Sequence, residues 1–275
     1  MTIVSQLIAS GTGWRAENIV CSAGPQDRPF EERHDTVCIA VVLEGSFQYR
    51  SSRGAALLAP GDLLLGEVGQ CFECGHEHAA GDRCLSFHFA PAYFEAVIAG
   101  VPGVRRMSFD RPRLTPRAAL VSLVAEVEAA GGDGDGEALE ELALRLAGAS
   151  AAIGESAPAA RAPSRREERW VTDALRQIEA QAHEPLALAD LAREASMSPY
   201  HFLRTFRSLV GMTPHQFVLR TRLHRAAVRL RRTGDSVSTI AFEAGFNDLS
   251  TFNRRFRRMM GASPTVYRCQ RQASR

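Results

Sequence analysis

Apolar-rich residues fall in short runs along the first third of the chain, at positions 19–21, 37–43, 47–50, 57–58, 63–65 and 85–89. The breaks Glu44-Gly45, Arg53-Gly54 and Pro60-Gly61-Asp62 place a turn signal every ~8 to 12 residues, as in a β-sandwich or barrel. A small β-barrel is the expectation for this part. Beyond Pro91 the pattern lengthens into helix-compatible stretches at 91–98, 116–130 and 137–152, the last two parted by Gly131-Gly132-Asp133-Gly134-Asp135-Gly136. In the last stretch Leu139, Leu142, Leu144 and Leu146 stand among alanines. Such a stripe serves either the chain's own core or a face on which two subunits pair. Residues 154–166, rich in Ala, Pro and Ser, have the composition of a flexible linker.

From Trp170 onward the chain reads as helical and contains two similar helix-turn-helix patterns. In the first, Leu188, Leu191, Ala192 and Ala195 share a face, and Ser196 to Ser198 form the turn. Ser198 then caps a helix that starts at Pro199 and runs to Leu209. In the second, over residues 237–246, Gly245 sits where a tight turn needs a positive φ, and Asp248 or Ser250 caps a helix over 249–259. Residues 215–232 read as one connecting helix. Both second helices divide by polarity. Phe202, Phe206 and Leu209 repeat at helical spacing, away from Tyr200, His201, Arg204 and Arg207. Phe252 and Phe256 are core candidates, while Ser250, Thr251, Asn253, Arg254 and Arg257 are polar.

Charge adds a partner to this picture. The formal net charge of +2 hides a split: residues 1–164 carry 13 Arg against 21 acids, and residues 165–275 carry 20 Arg against 10 acids. A basic helical part beside an acidic barrel points to a polyanion partner for the former alone. Arg presents two hydrogen bonds to guanine O6 and N7, and Asn pairs similarly with adenine, so Arg204, Asn253 and Arg254 are the base-reading candidates. Tyr200, Leu203, Leu249 and Thr251 are candidates for apolar contact with thymine methyl groups. His201, Ser250 and Arg257 complete the candidate face, and Arg220, Arg222, Arg257 and Arg258 are expected on phosphates. The alternative for any single Arg is a solvated helix face.

The pattern Ala241-x3-Gly245-Phe246-x5-Phe252-x2-Arg255-Phe256-x4-Gly261-x-Ser263-Pro264-x2-Tyr267-Arg268 resembles the C-terminal signature of AraC/XylS regulators. With the first motif, the resemblance covers about residues 168–270. It implies two helix-turn-helix units held on one connecting helix, each placing a recognition helix in successive major grooves on one face of the DNA. The same family often carries a cupin-like barrel ahead of this part. Val41-Val42-Leu43-Glu44-Gly45-Ser46-Phe47 followed by Leu58-Ala59-Pro60-Gly61-Asp62 resembles the middle of such a barrel, over roughly residues 15–90. The positions matching the cupin metal ligands are Glu32, His34 and Cys38, with Cys71 or Phe72 near the last, so the usual metal set is not intact.

A second constellation lies close by in Cys71-x2-Cys74-x-His76-x-His78-x5-Cys84-x3-His88. On a strand Cys74, His76 and His78 would share a face, a set suited to Zn or another borderline-soft transition metal. The expected metal candidates are therefore His34, Cys38, Cys71, Cys74, His76 and His78. Thiol sensing and plain burial of small hydrophobic thiols are the alternatives.

These readings combine into an α+β chain: a cupin-like sensor domain with a helical dimerisation segment at 1–153, a linker at 154–166, and an all-α DNA-binding domain at 167–275. The expected function is a sequence-specific transcription regulator controlled by a small molecule, metal or redox signal. A metallo-cupin enzyme carrying a DNA-binding appendage is the competing class. Promoter DNA, a homodimer partner, RNA polymerase and a small-molecule effector are the expected partners. Apolar runs are far short of the ~18 residues needed to cross a bilayer, and no signal-peptide pattern is present, so the expected location is cytoplasmic with reduced thiols.

Overall fold

The computed structural model describes residues 2–77, 80–101, 104, 108–115, 118–133, 136–153 and 164–269. Its strands are β1 (Ile3–Gly11), β2 (Trp14–Cys21), β3 (Glu31–Arg33), β4 (Val37–Gly45), β5 (Phe47–Ser51), β6 (Gly54–Leu58), β7 (Leu63–Gly66), β8 (Cys71–Gly75), β9 (Asp82–Phe89) and β10 (Arg113–Leu114). Helix α1 (Pro91–Ala99) precedes β10, and α2 (Ala118–Asp133), α3 (Gly136–Ile153) and α4 (Arg165–Gln181) follow it. The remaining helices are α5 (Leu188–Glu194), α6 (Pro199–Val210), α7 (Pro214–Arg232), α8 (Val237–Glu243), α9 (Leu249–Met260) and α10 (Pro264–Cys269).

Two compact units divide the chain: Met1–Pro116 with Ala130–Asp173, and Arg117–Ala129 with Ala174–Arg275. These bounds differ from those expected from composition. Helix α4 begins at Arg165, inside the stretch read as linker, whose residues 154–163 lie outside the described residues. The first turns of α2 belong to the second unit because Val121 and Ala125 pack in one apolar cluster with Leu223, Leu230, Phe252 and Phe256.

In the first unit two antiparallel sheets, ordered β1-β2-β9-β4-β7-β10 and β3-β8-β5-β6, enclose a common core. Alternation along each strand supplies that core. Cys38, Ala40 and Val42 of β4 and Cys84 of β9 meet Phe47 and Tyr49 of β5, with Phe72 and Cys74 of β8 packed alongside. The opposite face of β4 is buried too, which explains why positions 37–43 read as an unbroken apolar run. On that side of the unit Phe89 packs against Phe94 of α1, which meets Phe109 edge-on. Strands β1, β3, β8 and β10 lacked a legible apolar run. Strand β1 is largely exposed, β3 has three polar residues and β10 only two residues in all. Leu139, Leu142 and Leu146 of α3 are buried within the unit, and only Leu144 of that stripe is exposed. The stripe therefore serves the chain's own core, and the expected pairing face is not built from it.

The second unit is a doubled motif. Helices α5 and α6 repeat as α8 and α9, and each pair is followed by a Gly-x-(Thr/Ser)-Pro step, Gly211 to Pro214 and Gly261 to Pro264. Both turns are closed by the same bond pattern: Met197 N–H donates to the Ala192 carbonyl and Phe246 N–H to the Ala241 carbonyl. The left-handed residue this needs is Gly245 (φ 89°) in one turn and Ser196 (φ 53°) in the other. Ser198 and Asp248 cap α6 and α9 as expected, their side chains accepting from His201 N–H and Thr251 N–H. Phe202, Phe206 and Val210 are buried along α6, and Phe252, Phe256 and Met260 along α9. Val210 thus takes the core position that spacing had given to Leu209, because a strict four-residue step continues from Phe206.

Because a Cβ at Gly245 would lie 2.4 Å from the His183 carbonyl oxygen, Gly245→Ala adds a steric clash to the left-handed strain. It should destabilise the second unit by about 2 to 5 kcal/mol. Ser196→Gly relieves strain but frees the unfolded chain, so it should be neutral or stabilising by at most about 1 kcal/mol. Chemical denaturation of the two variants, followed by helical circular dichroism, checks the contrast.

Candidate nucleic-acid interface

Burial of one apolar stripe on α6 and α9 decides what the remaining faces present. His201, Arg204 and Arg207 are exposed on α6, and Leu249, Ser250, Arg254, Arg257 and Arg258 on α9. Leu203, Thr251 and Asn253 are half-buried at the edges of these faces, and of Tyr200 only the backbone is described. Arg204 and Arg254 each follow a buried Phe by two residues, and Arg207 and Arg257 each follow the next buried Phe by one. The two helices therefore present their guanidinium groups in the same register. Neither α6 nor α9 contains an Asp or Glu, so the charge on each face is cationic alone, which favours a polyanion partner. At the start of α9 stands Asp248, whose carboxyl the Thr251 backbone N–H holds below its usual range.

The two helix-turn-helix units are locked to each other through α7. Arg222, on that helix, donates from Nη1 to the Gly245 carbonyl at 2.6 Å and from Nη2 to the Glu184 carbonyl at 2.8 Å, while its Nε donates to the Ala182 carbonyl. One guanidinium thus ties the loop entering the first motif to the turn of the second. Burial and the neighbouring Arg255 charge pull its pKa down from the usual arginine value. A groove of about 520 Å³ runs between the motifs, lined by Leu188, Leu191, Val218, Leu219, Thr251 and Arg255 among others. Arg222 was expected on a phosphate, and its donors are instead committed to carbonyls. Arg220, also expected there, is buried with its guanidinium 4.5 Å from the Phe217 ring. Arg257 and Arg258 keep the exposure that phosphate contact needs.

In the barrel, the expected Cys/His metal set is not brought together among the described residues. Strand β8 stops at Gly75, so the alternation that would align Cys74, His76 and His78 ends before the histidines. Cys71 is exposed and faces Arg33 across the β3–β8 ladder, and His78 lies outside the described residues. Cys38 and Cys74 sit with Cys84 in the apolar core. Burial pushes the Cys38 thiol up to about 11 and the Cys74 and Cys84 thiols well above their ordinary value, which is opposite to what a thiolate sensor needs. His34 lies over Gly66, where a Cβ would come 2.3 Å from its Nε2. That nitrogen is 2.9 Å from the Tyr49 hydroxyl, and the ring stacks on Phe72 at 4.2 Å. Burial, with the His88 charge adding to it, pulls the His34 pKa down to about 4. His76 instead meets Asp82 and Cys21, a grouping that sequence spacing did not disclose because Cys21 is 55 positions away from His76.

Two family models match this chain: an AraC-like ligand binding domain over residues 20–147 and a helix-turn-helix domain over residues 191–270. The transcriptional activator AarP of Providencia stuartii is 33% identical over 98 residues, which cover 36% of this chain and 73% of AarP. The transcriptional regulator Rv1931c of Mycobacterium tuberculosis is 42% identical over 81 residues, 30% of this chain and 31% of that protein. The chain spans between a quarter and about a third of the lengths of Rv1931c, LumQ and MtrA. Among solved structures, the DNA-binding domain of AdpA in complex with a target DNA is 32% identical over 38% of this chain and 95% of that one, with a TM-score of 0.37.

Removing the Arg222 side chain leaves three carbonyls without their donor, so Arg222→Ala should destabilise the second unit by about 2 to 4 kcal/mol in denaturation experiments. A phosphate contact would leave stability untouched and reduce only the salt dependence of DNA binding. For His34 the native ring stays neutral to about pH 4 while the unfolded ring takes its proton near ~6.5. Below pH ~6.5 the unfolded state therefore binds more protons, and stability falls as pH drops toward 4, by on the order of 2 to 3 kcal/mol. Comparing denaturation of wild type and His34→Gln at pH 7 and pH 4.5 should show a smaller loss in the variant.

Proposed function

The chain belongs to the AraC family of transcriptional regulators, and from that premise we propose that it binds double-stranded promoter DNA sequence-specifically under the control of a small-molecule effector. The observation that carries this reading is the repeat of Arg204 and Arg254 at matching positions of two acid-free recognition helices. One connecting helix, α7, holds both motifs through Arg222, so the pair acts as a single bipartite reader. Arg204, Asn253 and Arg254 read bases, with Tyr200, His201, Leu203, Leu249, Ser250 and Thr251 around them and Arg257 at the rim of the face. The effector is assigned to the N-terminal barrel, over the stretch that matches the AraC-like ligand binding domain.

The remaining parts of the reading follow from this role. A regulator working on promoter DNA beside RNA polymerase is cytoplasmic. A homodimer is supported by β1, which lies at the edge of its sheet with Ile3, Val4 and Leu7 exposed. The relatives are named as transcriptional regulators, and we read this chain as a regulator rather than a metallo-cupin enzyme. The positions that would ligate a cupin metal favour this choice, since His34 is engaged with Tyr49 and Cys38 lies among apolar side chains.

Two recognition helices on one rigid connector enter major grooves about one helical turn apart, ~34 Å or ~10 base pairs. Selection of bound DNA from a random pool should return a bipartite site with that spacing, and inserting five base pairs between its halves should abolish joint engagement. On the selected site Arg204→Ala and Arg254→Ala should each cost ~1 to 3 kcal/mol and relax preference at one base position. Equal loss on selected and scrambled DNA would remove both from the base-reading set.

A further inference from the structure

We propose that Cys21, His76 and Asp82 form a binding site for one divalent transition cation of the zinc class at the end of the N-terminal barrel. Their sulfur, ring nitrogen and carboxylate oxygen all lie within 4.8 Å of one another. The His76 and Asp82 side chains are 2% and 7% exposed, and Cys21 is buried. The three residues come from both sheets. Asp82 opens β9 and pairs directly with Cys21, the last residue of β2, while its other neighbour is Gly45 of β4. Directly paired residues in an antiparallel ladder point to the same face, so the thiol and the carboxylate emerge together. His76 reaches them from just past the end of β8, with its ring 5.9 Å from that of Phe47.

The donor set and spacing fit such an ion. A tetrahedral zinc with one sulfur and two N/O ligands holds those atoms roughly 3.3 to 3.6 Å apart. His76 Nε2 and Asp82 Oδ2 now stand 2.5 Å apart as a hydrogen-bonded pair, so a side-chain movement of about 1 Å opens the site. Binding displaces the Cys21 thiol proton to solvent and leaves the His76 ring neutral, its proton on Nδ1. A supporting shell is already in place. The Ala23 N–H donates to Cys21 Sγ at 3.4 Å, and the Cys84 thiol donates to Asp82 Oδ1 at 3.5 Å. The Ala23 contact favours the charged sulfur, and the Cys84 contact holds the carboxylate in register. Mixed S, N and O donors suit zinc and cobalt better than magnesium or calcium, and three protein ligands leave one position for water.

The test uses the full chain, stripped with chelator under reducing conditions and titrated with Co²⁺, followed by Zn²⁺ competition. One equivalent of Co²⁺ should bind with a thiolate-to-cobalt charge-transfer band that Zn²⁺ bleaches. Cys21→Ser should abolish the band, and His76→Gln should weaken binding about tenfold or more. Cys71→Ser and Cys269→Ser, which alter exposed thiols, should leave it unchanged. Should Cys21→Ser fail to fold, wild type still decides the matter: Zn²⁺ must protect Cys21 from alkylation, read by mass spectrometry of the modified peptides. The proposal is overturned if the stripped wild type gives no charge-transfer band at excess Co²⁺. It is equally overturned if the band survives in folded Cys21→Ser, or if Zn²⁺ leaves Cys21 as reactive as before.

Discussion

Three backbone carbonyls converge on the guanidinium of Arg222, from Ala182, Glu184 and Gly245. Two lie in the loop that leads into the first helix-turn-helix motif and one in the turn of the second. A planar fork with donors at fixed angles can serve such a set, where a lysine ammonium offers a single point. The absence of a side chain at Gly245 completes the lock, because His183 occupies the place a Cβ would take. These two residues add a direct tie between the turn of α8–α9 and the loop before α5 to the packing of both pairs on α7. With them, the registers of Arg204 and Arg254 are set relative to one another, and fixed geometry between recognition helices is what allows a single chain to distinguish a spaced DNA site.

The barrel solves a different problem. Its two sheets share a small apolar core, and three of its thiols are part of that core rather than of any reactive surface. Cysteine is among the most buried residue types and packs as a small hydrophobe, so a local concentration of cysteines along the sequence says little about chemistry. The chemically varied grouping arises where the sheets meet at one end, with Cys21 and Asp82 joined across one ladder and His76 arriving from the opposite sheet. Burying a histidine and a carboxylate there is costly unless they are paired or ligated.

Charge follows the same division of labour. Several C-terminal arginines are structural: Arg229 pairs with Asp235 and Glu243, Arg268 donates to the Asp235 carbonyl, and Arg231 lies 4.4 Å from the Tyr267 ring. What remains exposed on α6 and α9 is a cationic face whose composition excludes acids altogether. The charge split along the chain pointed to a polyanion partner, and burial sorted the individual arginines into those that hold the fold and those that face outward.

By itself the sequence determined most of what short-range periodicity and capping govern. It disclosed both helix-turn-helix motifs, the Ser198 cap with Pro199 behind it, the positive φ at Gly245, the buried Phe202, Phe206, Phe252 and Phe256, and the barrel strands with strong apolar runs. These depend on neighbours within about one helical turn or one strand, and such neighbours are adjacent in the chain. Tertiary structure alone decided which polar groups were already committed and which distant residues met. It withdrew Arg220 and Arg222 from the DNA face and assigned the Leu139 stripe to the core. Among the described residues it also grouped His76 with Cys21 and Asp82, residues 61 positions apart, where the reading along positions 71–78 had set it beside Cys74 and His78. The reason is physical: strand register and the facing of two sheets bring together residues whose separation along the chain carries no periodic signal.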